Sequence, residues 1–354
     1  MTILHISVFF GFKKRHGGVK RSEQISEILE NQDSVTINPY KGLKASFFSA
    51  VRSPSIIIKL FLFSSYLFLF KGLAFRGALK FSIKGVEPVK IVKNSNFDIL
   101  ILETAPGTSI LFMLYLSYKR IKYIVVPHNI EHMVPGQASC DFRSKGRLFE
   151  AEYDGFNNAE SVWVISEFDQ SILSCNGVKS RVVPYYPVRY DLSNFETLFN
   201  RRKANLISQE YLLLGTVGNK PTYDGMKLAI QDYRHTEKLI VVGFGTETLR
   251  FDSRENIVVL GGVSDDELSD LLVKVKGVLI NQPQTTGFLT KIVDLNIAGV
   301  PVYVVSDYQQ ARGLDRFGVF QIKLNQLDSL DEQLRQADFD KFPKPALNLL
   351  KETP

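Results

Sequence analysis

The residues best placed to do chemistry lie late in the chain, in Gln284-Thr-Thr-Gly-Phe-Leu-Thr-Lys-Ile-Val-Asp294. This segment follows a short apolar run at 277–281 and leads into a helix and a second apolar run at 301–305. Strand, small polar turn, helix and strand make one half of a doubly wound α/β domain, with the turn at the carboxyl end of the first strand. Free amides at the helix start point outward there and favour an anion. Thr285, Thr286 and Gly287 suit close approach of the backbone to phosphate. Lys291 lies about one turn in, and Asp294 follows three residues later on the same helix face. A lysine near a helix start opposes the helix dipole, which points to an anion beside it. A cation for phosphates, with a carboxylate one turn on for sugar hydroxyls, is the donor set that a nucleotide diphosphate needs.

Other positions stand out by type and place. His128 follows an apolar run at 123–126 through Pro127, at the carboxyl end of a strand. His128-Asn-Ile-Glu131-His132 also spells His-x-x-Glu-His, a zinc-protease pattern. That pattern needs a helix presenting both histidines, whereas Pro127 and the strand before it put His128 in a loop, so no metal site is expected. Gly17-Gly18 sits in a basic polar stretch after the first apolar run, where glycine permits unusual dihedrals. Lys220 and Asp224 follow the apolar run at 211–217, and Gly262-Val263 precede Ser264-Asp-Asp-Glu267, a capping box that starts a helix.

The elements that must hold these residues alternate. Apolar strands are predicted at 3–10, 34–37, 97–103, 123–126, 161–166 and 181–184, with helices at 22–30, 109–118, 147–157 and 167–174 between them. Such alternation implies a parallel sheet covered on both faces. A second alternating set begins at 211, with strands at 238–242, 256–260, 277–281 and 301–305. The expected organisation is a first domain over 1–188, a polar linker over 189–209 without clear periodicity, a second domain over 210–335 and a C-terminal tail over 336–354 packing back on the first domain.

Composition bounds the partners. The chain has 354 residues, 45% hydrophobic and 23% charged, enough for two globular domains. A net charge of +6 suits phosphates or a lipid surface. The basic residues are spread rather than striped, which argues against nucleic acid. Cys140 and Cys175 are the only cysteines and fit a reducing compartment. The N-terminal residues lack a basic leader and read as a first strand rather than a signal peptide. Residues 56–70 are almost wholly apolar, interrupted by Lys59 and flanked by Arg52, Lys71, Arg76, Lys80 and Lys84. That run is shorter than the roughly 20 residues of a spanning helix. Two readings stand: a buried helix of the first domain, or an interfacial membrane helix within 52–84.

Taken in order, Gly17-Gly18, His128-Asn-Ile-Glu131, Val164-Ile-Ser166 with Asp169, Gly243-Phe-Gly245, Leu260-Gly-Gly-Val263 and the 287–301 region resemble the GT-B glycosyltransferases, and among them glycosyltransferase family 4. The resemblance implies two Rossmann-like doubly wound domains facing a central cleft. It implies a nucleotide-diphosphate sugar as donor substrate, no cofactor, no metal, retention of anomeric configuration, and a saccharide or lipid-linked saccharide as acceptor. Such a chain would serve cell-surface polysaccharide or glycoconjugate synthesis from the cytoplasm, peripheral on the inner membrane face if the apolar segment is exposed.

By the same resemblance, Gly17 and Gly18 approach the donor diphosphate, His128 contacts the reacting sugar or acceptor, and Gly262 and Val263 line the nucleobase pocket with backbone. Lys220, Lys291 and the amides around Thr285, Thr286 and Gly287 neutralise the departing diphosphate, and Asp294 takes the ribose hydroxyls. The chain departs from the pattern in three places, one of them Asp294, a shorter carboxylate where the family usually has a second glutamate. Thr286 stands where the family usually has a glutamate, and Asp224 lies near the place of a second cation. Two alternatives stand: a GT-B-type nucleotide-sugar epimerase, for which no second carboxylate beside His128 is evident in the sequence, and a non-catalytic nucleotide-sugar-binding partner, which the missing glutamate and second cation keep open.

Overall fold

The computed structural model describes residues 1–12, 16–40, 42–135, 141–251, 254–305, 307–312, 314 and 317–324. The tail at 336–354 and Cys140 lie outside the described residues. The chain divides into two compact units: one comprises 1–185 together with Thr286–Phe288, the other 186–285 and the described residues from 289 to 324.

The first unit runs β1 (Thr2–Ile6), α1 (Gly17–Leu29), β2 (Asp33–Ile37), α2 (Leu43–Val51), α3 (Pro54–Phe70), α4 (Phe75–Lys84), α5 (Val86–Asn94), β3 (Ile99–Thr104), α6 (Thr108–Tyr118), β4 (Tyr123–Pro127), α7 (Lys145–Asn157), β5 (Ser161–Val164), α8 (Glu167–Cys175) and β6 (Ser180–Val182). Its six strands are parallel, in the order β2-β1-β3-β4-β5-β6. Successive side chains go to opposite faces of the sheet. Leu4, Leu100, Leu102, Val125 and Val164 pack on one side. Ile3, Ile101, Ile124, Val126 and Trp163 pack on the other with Ile25 and Leu29 of α1. By the same alternation His5 and Glu103 face α1.

The apolar segment is α3, and it is two-sided. Ile56, Leu60, Phe63 and Leu67 are buried in the core, while Ile58, Phe61, Leu62, Leu69 and Phe70 are exposed. Positions 58, 62 and 69 recur at helical spacing, so a whole apolar stripe faces outward, with Leu62 at 64% exposure and Phe70 at 68%. Phe47, Phe48, Val51, Phe75 and Leu79 of α2 and α4 are exposed as well. Among the described residues no single helix is long and apolar enough to cross a membrane.

The second unit runs α9 (Arg189–Lys203), β7 (Tyr211–Leu214), α10 (Lys220–Asp232), β8 (Leu239–Val242), β9 (Ile257–Gly261), α11 (Asp265–Lys274), β10 (Gly277–Ile280), α12 (Thr290–Ile297), β11 (Val302–Val304) and β12 (Val319–Gln321). Its sheet is again parallel, in the order β12-β11-β10-β7-β8-β9. The Ser264/Glu267 capping box starts α11. The stretch expected to be an aperiodic linker is the helix α9. Its sequence looks like surface because its anchor is a buried arginine: the Arg202 guanidinium donates to the carbonyls of Leu272 and Val275, both at 2.7 Å.

Candidate active site

In an open parallel sheet, ligands bind outside the carboxyl ends of the strands where the strand order reverses. The first unit reverses between β1 and β3, the second between β10 and β7. A polar cluster occupies each place.

In the first unit the centre is Glu103, fully buried near the end of β3. Nε2 of His5 donates to its Oε1 at 2.9 Å, and Nε2 of His128 donates to Oε2 at 3.1 Å. The Ser7 hydroxyl lies 2.8 Å from Oε2, and the Ser22 hydroxyl of α1 bonds the same oxygen. Burial alone would raise the Glu103 pKa, but the hydrogen bonds and charge of His128 and His5 outweigh it and hold the carboxyl well below the usual range. Glu103 is therefore ionised and acts as an acceptor only. His128 then spends Nε2–H on Glu103 and presents Nδ1, which has no hydrogen-bond partner among the described residues. That atom is left to bond a ligand hydroxyl, as acceptor or donor according to whether it carries a proton.

Phe9 packs edge-on against His128 at 4.8 Å and against His16 at 4.9 Å. The Gly17-Gly18 pair is not a loop: it opens α1, because His16 caps the helix and accepts from the Gly18 amide at 3.2 Å. A Cβ on Gly18 would lie 2.7 Å from the Phe9 ring, so this glycine makes room for the aromatic that backs His128. One residue before Ser22, Arg21 is buried, and desolvation pulls its pKa down to about 10, against the raising influence of Glu103.

Thr286–Phe288 belong to the first unit. The Thr286 hydroxyl donates to the Ile130 carbonyl and accepts from the Ile130 amide, both at 3.1 Å. The Gly287 amide, expected to meet phosphate, donates to the Asp169 carboxylate at 3.0 Å. Burial raises the Asp169 pKa to about 7 in spite of hydrogen bonds from Ser166 and Gly287. His132 pairs with Glu152 at 2.8 Å, not with the carboxylate that holds His128, and no group of three metal ligands comes together among the described residues.

In the second unit Lys291, in the first turn of α12, donates to the carbonyl of Leu214, the last residue of β7, at 2.7 Å. It thus bridges the reversal point, from the helix after β10 to the end of β7. The side chain keeps some solvent contact, yet desolvation of its ammonium pulls its pKa down to about 8. No carboxylate among the described residues pairs with it. Asp294, one turn on, is buried, as is Thr285, whose carbonyl accepts from Gln310 at 2.8 Å. Lys220 begins α10 and is exposed, paired with Asp224 at 2.6 Å, so the acid that takes the place of a second cation neutralises the first.

Close backbone packing shapes this end of the sheet. A Cβ on Gly243, after β8, would sit 1.5 Å from the Gly215 carbonyl oxygen after β7. Gly262, after β9, is exposed, and Val263 is half-buried. Beside Gly262 stands Phe244, with 70% of its surface exposed. An aromatic face at the strand ends suits a nucleobase. Glu103, His5 and Phe244 carry no local signal of their roles in the sequence, apart from the Gly243-Phe-Gly245 string around the last.

No family model matches the sequence, and no curated protein does. Solved structures do match in fold. HepE from Anabaena, determined in complex with UDP, aligns with a TM-score of 0.57 at 14% identity over 95% of this chain and 92% of that one. The N-terminal domain of Candida albicans trehalose-6-phosphate phosphatase aligns with a TM-score of 0.52 at 12% identity, over 96% and 93%. Sucrose-phosphate synthase from Thermosynechococcus elongatus gives 0.50 at 13% identity, over 72% and 69%. At these identities the likeness is one of fold, and the fold is GT-B: two Rossmann-like units with six-stranded parallel sheets.

Proposed function

We propose that this protein is a glycosyltransferase that moves a sugar from a nucleotide-diphosphate donor to a saccharide or lipid-linked saccharide, in the manner of the family 4 enzymes its motifs resemble. The observation that carries the reading is Lys291: a desolvated ammonium at the reversal point of the second sheet, with no carboxylate paired to it among the described residues. A diphosphate supplies the missing anion, and its negative charge grows as the sugar leaves. Phe244 stacks the base, as UDP bound to HepE makes reasonable. Asp294 and Thr285 complete the donor pocket, with the backbone at Gly262 and Val263 beside the base. Lys220 joins Lys291 only by releasing Asp224. The two lysines act without a metal ion or cofactor.

His128, set by Glu103 and Phe9, orients a hydroxyl of the sugar or acceptor through Nδ1. Retention of anomeric configuration follows from the family resemblance and is read from the anomeric signals of the product. The exposed apolar stripe of α3 supports docking on an anionic membrane surface, as an enzyme of cell-surface polysaccharide synthesis acting from the cytoplasm would require. A second reading, epimerisation of the nucleotide sugar, is favoured by one observation: Glu103 gives His128 a carboxylate partner that the sequence did not reveal. The fate of the donor decides between them. Sugar appearing on an added acceptor supports transfer, and an epimerised donor without acceptor supports the second reading. Intact donor across a panel of nucleotide sugars would sink both.

A further inference from the structure

We propose that the first unit carries a pocket for the anionic headgroup of a membrane phospholipid, at the border of its exposed apolar face. This rests on the membrane docking proposed above and names the ligand that fixes it. A cavity of about 300 Å³ opens among α3, α5 and α6, lined by Val89, Phe112 and Tyr115 and by Lys59, Lys93 and Lys119. The three apolar residues are buried and the three lysines are exposed. None of the lysines pairs with a carboxylate among the described residues, and no acidic residue lines the cavity. The Lys119 ammonium is held 4.8 Å from the Tyr118 ring and 5.8 Å from the Tyr115 ring.

Three like charges around one mouth repel one another, and an apolar wall is a poor host for water. A ligand with an anionic head and an apolar body relieves both. The surroundings select a lipid over a soluble anion. Lys59 adjoins Ile58 of the outward stripe of α3, so an acyl chain leaving the pocket meets apolar surface. From Ser34 to Val86 the sequence has no Asp or Glu and eight Lys or Arg; Lys71 and Lys80 are paired with Asp154 and Asp141, and the remaining positive charge suits an anionic leaflet. The position also separates this ligand from the reacting acceptor. Ile121, which lines the cavity, precedes β4, whereas His128 follows it, so the pocket lies toward the opposite ends of the strands.

The test is flotation of the full chain with phosphatidylcholine vesicles, with and without phosphatidylglycerol. The K59Q/K93Q/K119Q chain is expected to lose more partition onto the phosphatidylglycerol vesicles than the roughly 100-fold that about fivefold per lysine of diffuse surface charge would give. The charge-matched K44Q/R52Q/R76Q chain should lose far less. Equal losses in the two triple variants would mean diffuse charge alone and overturn the pocket, while leaving membrane docking standing. Inorganic phosphate that protects the wild-type chain from heat but not the K59Q/K93Q/K119Q chain, without any vesicle binding, assigns the cavity to a soluble anion and overturns the lipid. Loss of docking in an I58S/L62S/L69S chain upholds the membrane reading separately, and a wild-type chain that never floats sinks both.

Discussion

Replacing Lys291 by methionine should make this protein more stable and worse at binding nucleotides. The structure sets both signs. Burial of the ammonium brings its pKa from 10.5 down to about 8. That difference corresponds to roughly 3 kcal/mol against the charged form in the folded chain. Methionine keeps most of the volume and removes the charge, at the loss of the hydrogen bond to the Leu214 carbonyl, about 1 kcal/mol. The net gain at pH 7 is about 2 kcal/mol. Because the folded pKa is the lower one, the penalty is complete below about pH 8 and fades as pH rises toward 10.5, where folded and unfolded lysine are both neutral. Urea denaturation at neutral and at alkaline pH should therefore show the advantage of K291M shrinking with rising pH. Calorimetric titration with nucleoside diphosphates should show the opposite change, a loss of roughly 1.5–3 kcal/mol, or about 10- to 150-fold. Wild-type affinity itself should fall above about pH 8 as the free lysine loses its proton. A K291M protein less stable than wild type at pH 7, or one that binds diphosphates as tightly, would refute the assignment of Lys291 as a charge held ready for an anion.

Three further outcomes follow from other contacts. Glu103→Gln removes a buried charge from two histidines and should cost about 3–5 kcal/mol in chemical denaturation. The folded carboxyl titrates below its unfolded value of 4.5, so this contribution is complete above that pH, and the gap between wild type and variant should narrow as pH falls below it. Phe244→Ala, at an exposed position, should leave the unfolding midpoint unchanged and weaken nucleotide binding by about 1–3 kcal/mol in the same titration. Gly18→Ala places a methyl group against the Phe9 ring and shifts the support behind His128. Turnover should drop by about tenfold or more, while stability stays within about 1 kcal/mol.

The α/β alternation is legible in the residues alone, because strands buried on both faces must be apolar throughout, as Leu100, Ile101 and Leu102 are. So are the Ser264/Glu267 cap and the strand-turn-helix that carries Lys291, since both are read within a few residues. What the sequence leaves open involves partners far apart in the chain. Glu103 meets His5 from 98 residues away, and Lys291 meets the Leu214 carbonyl from 77 residues away. No local pattern encodes such pairs, because the sheet order brings them together. The helix α9 was hidden because its anchor, Arg202, is a charged residue satisfied by carbonyls of another element. The outward stripe of α3 was hidden for the reverse reason. Both of its faces are apolar, so composition could not tell which side the core takes, and only packing against residues such as Phe81 and Tyr115 decided it.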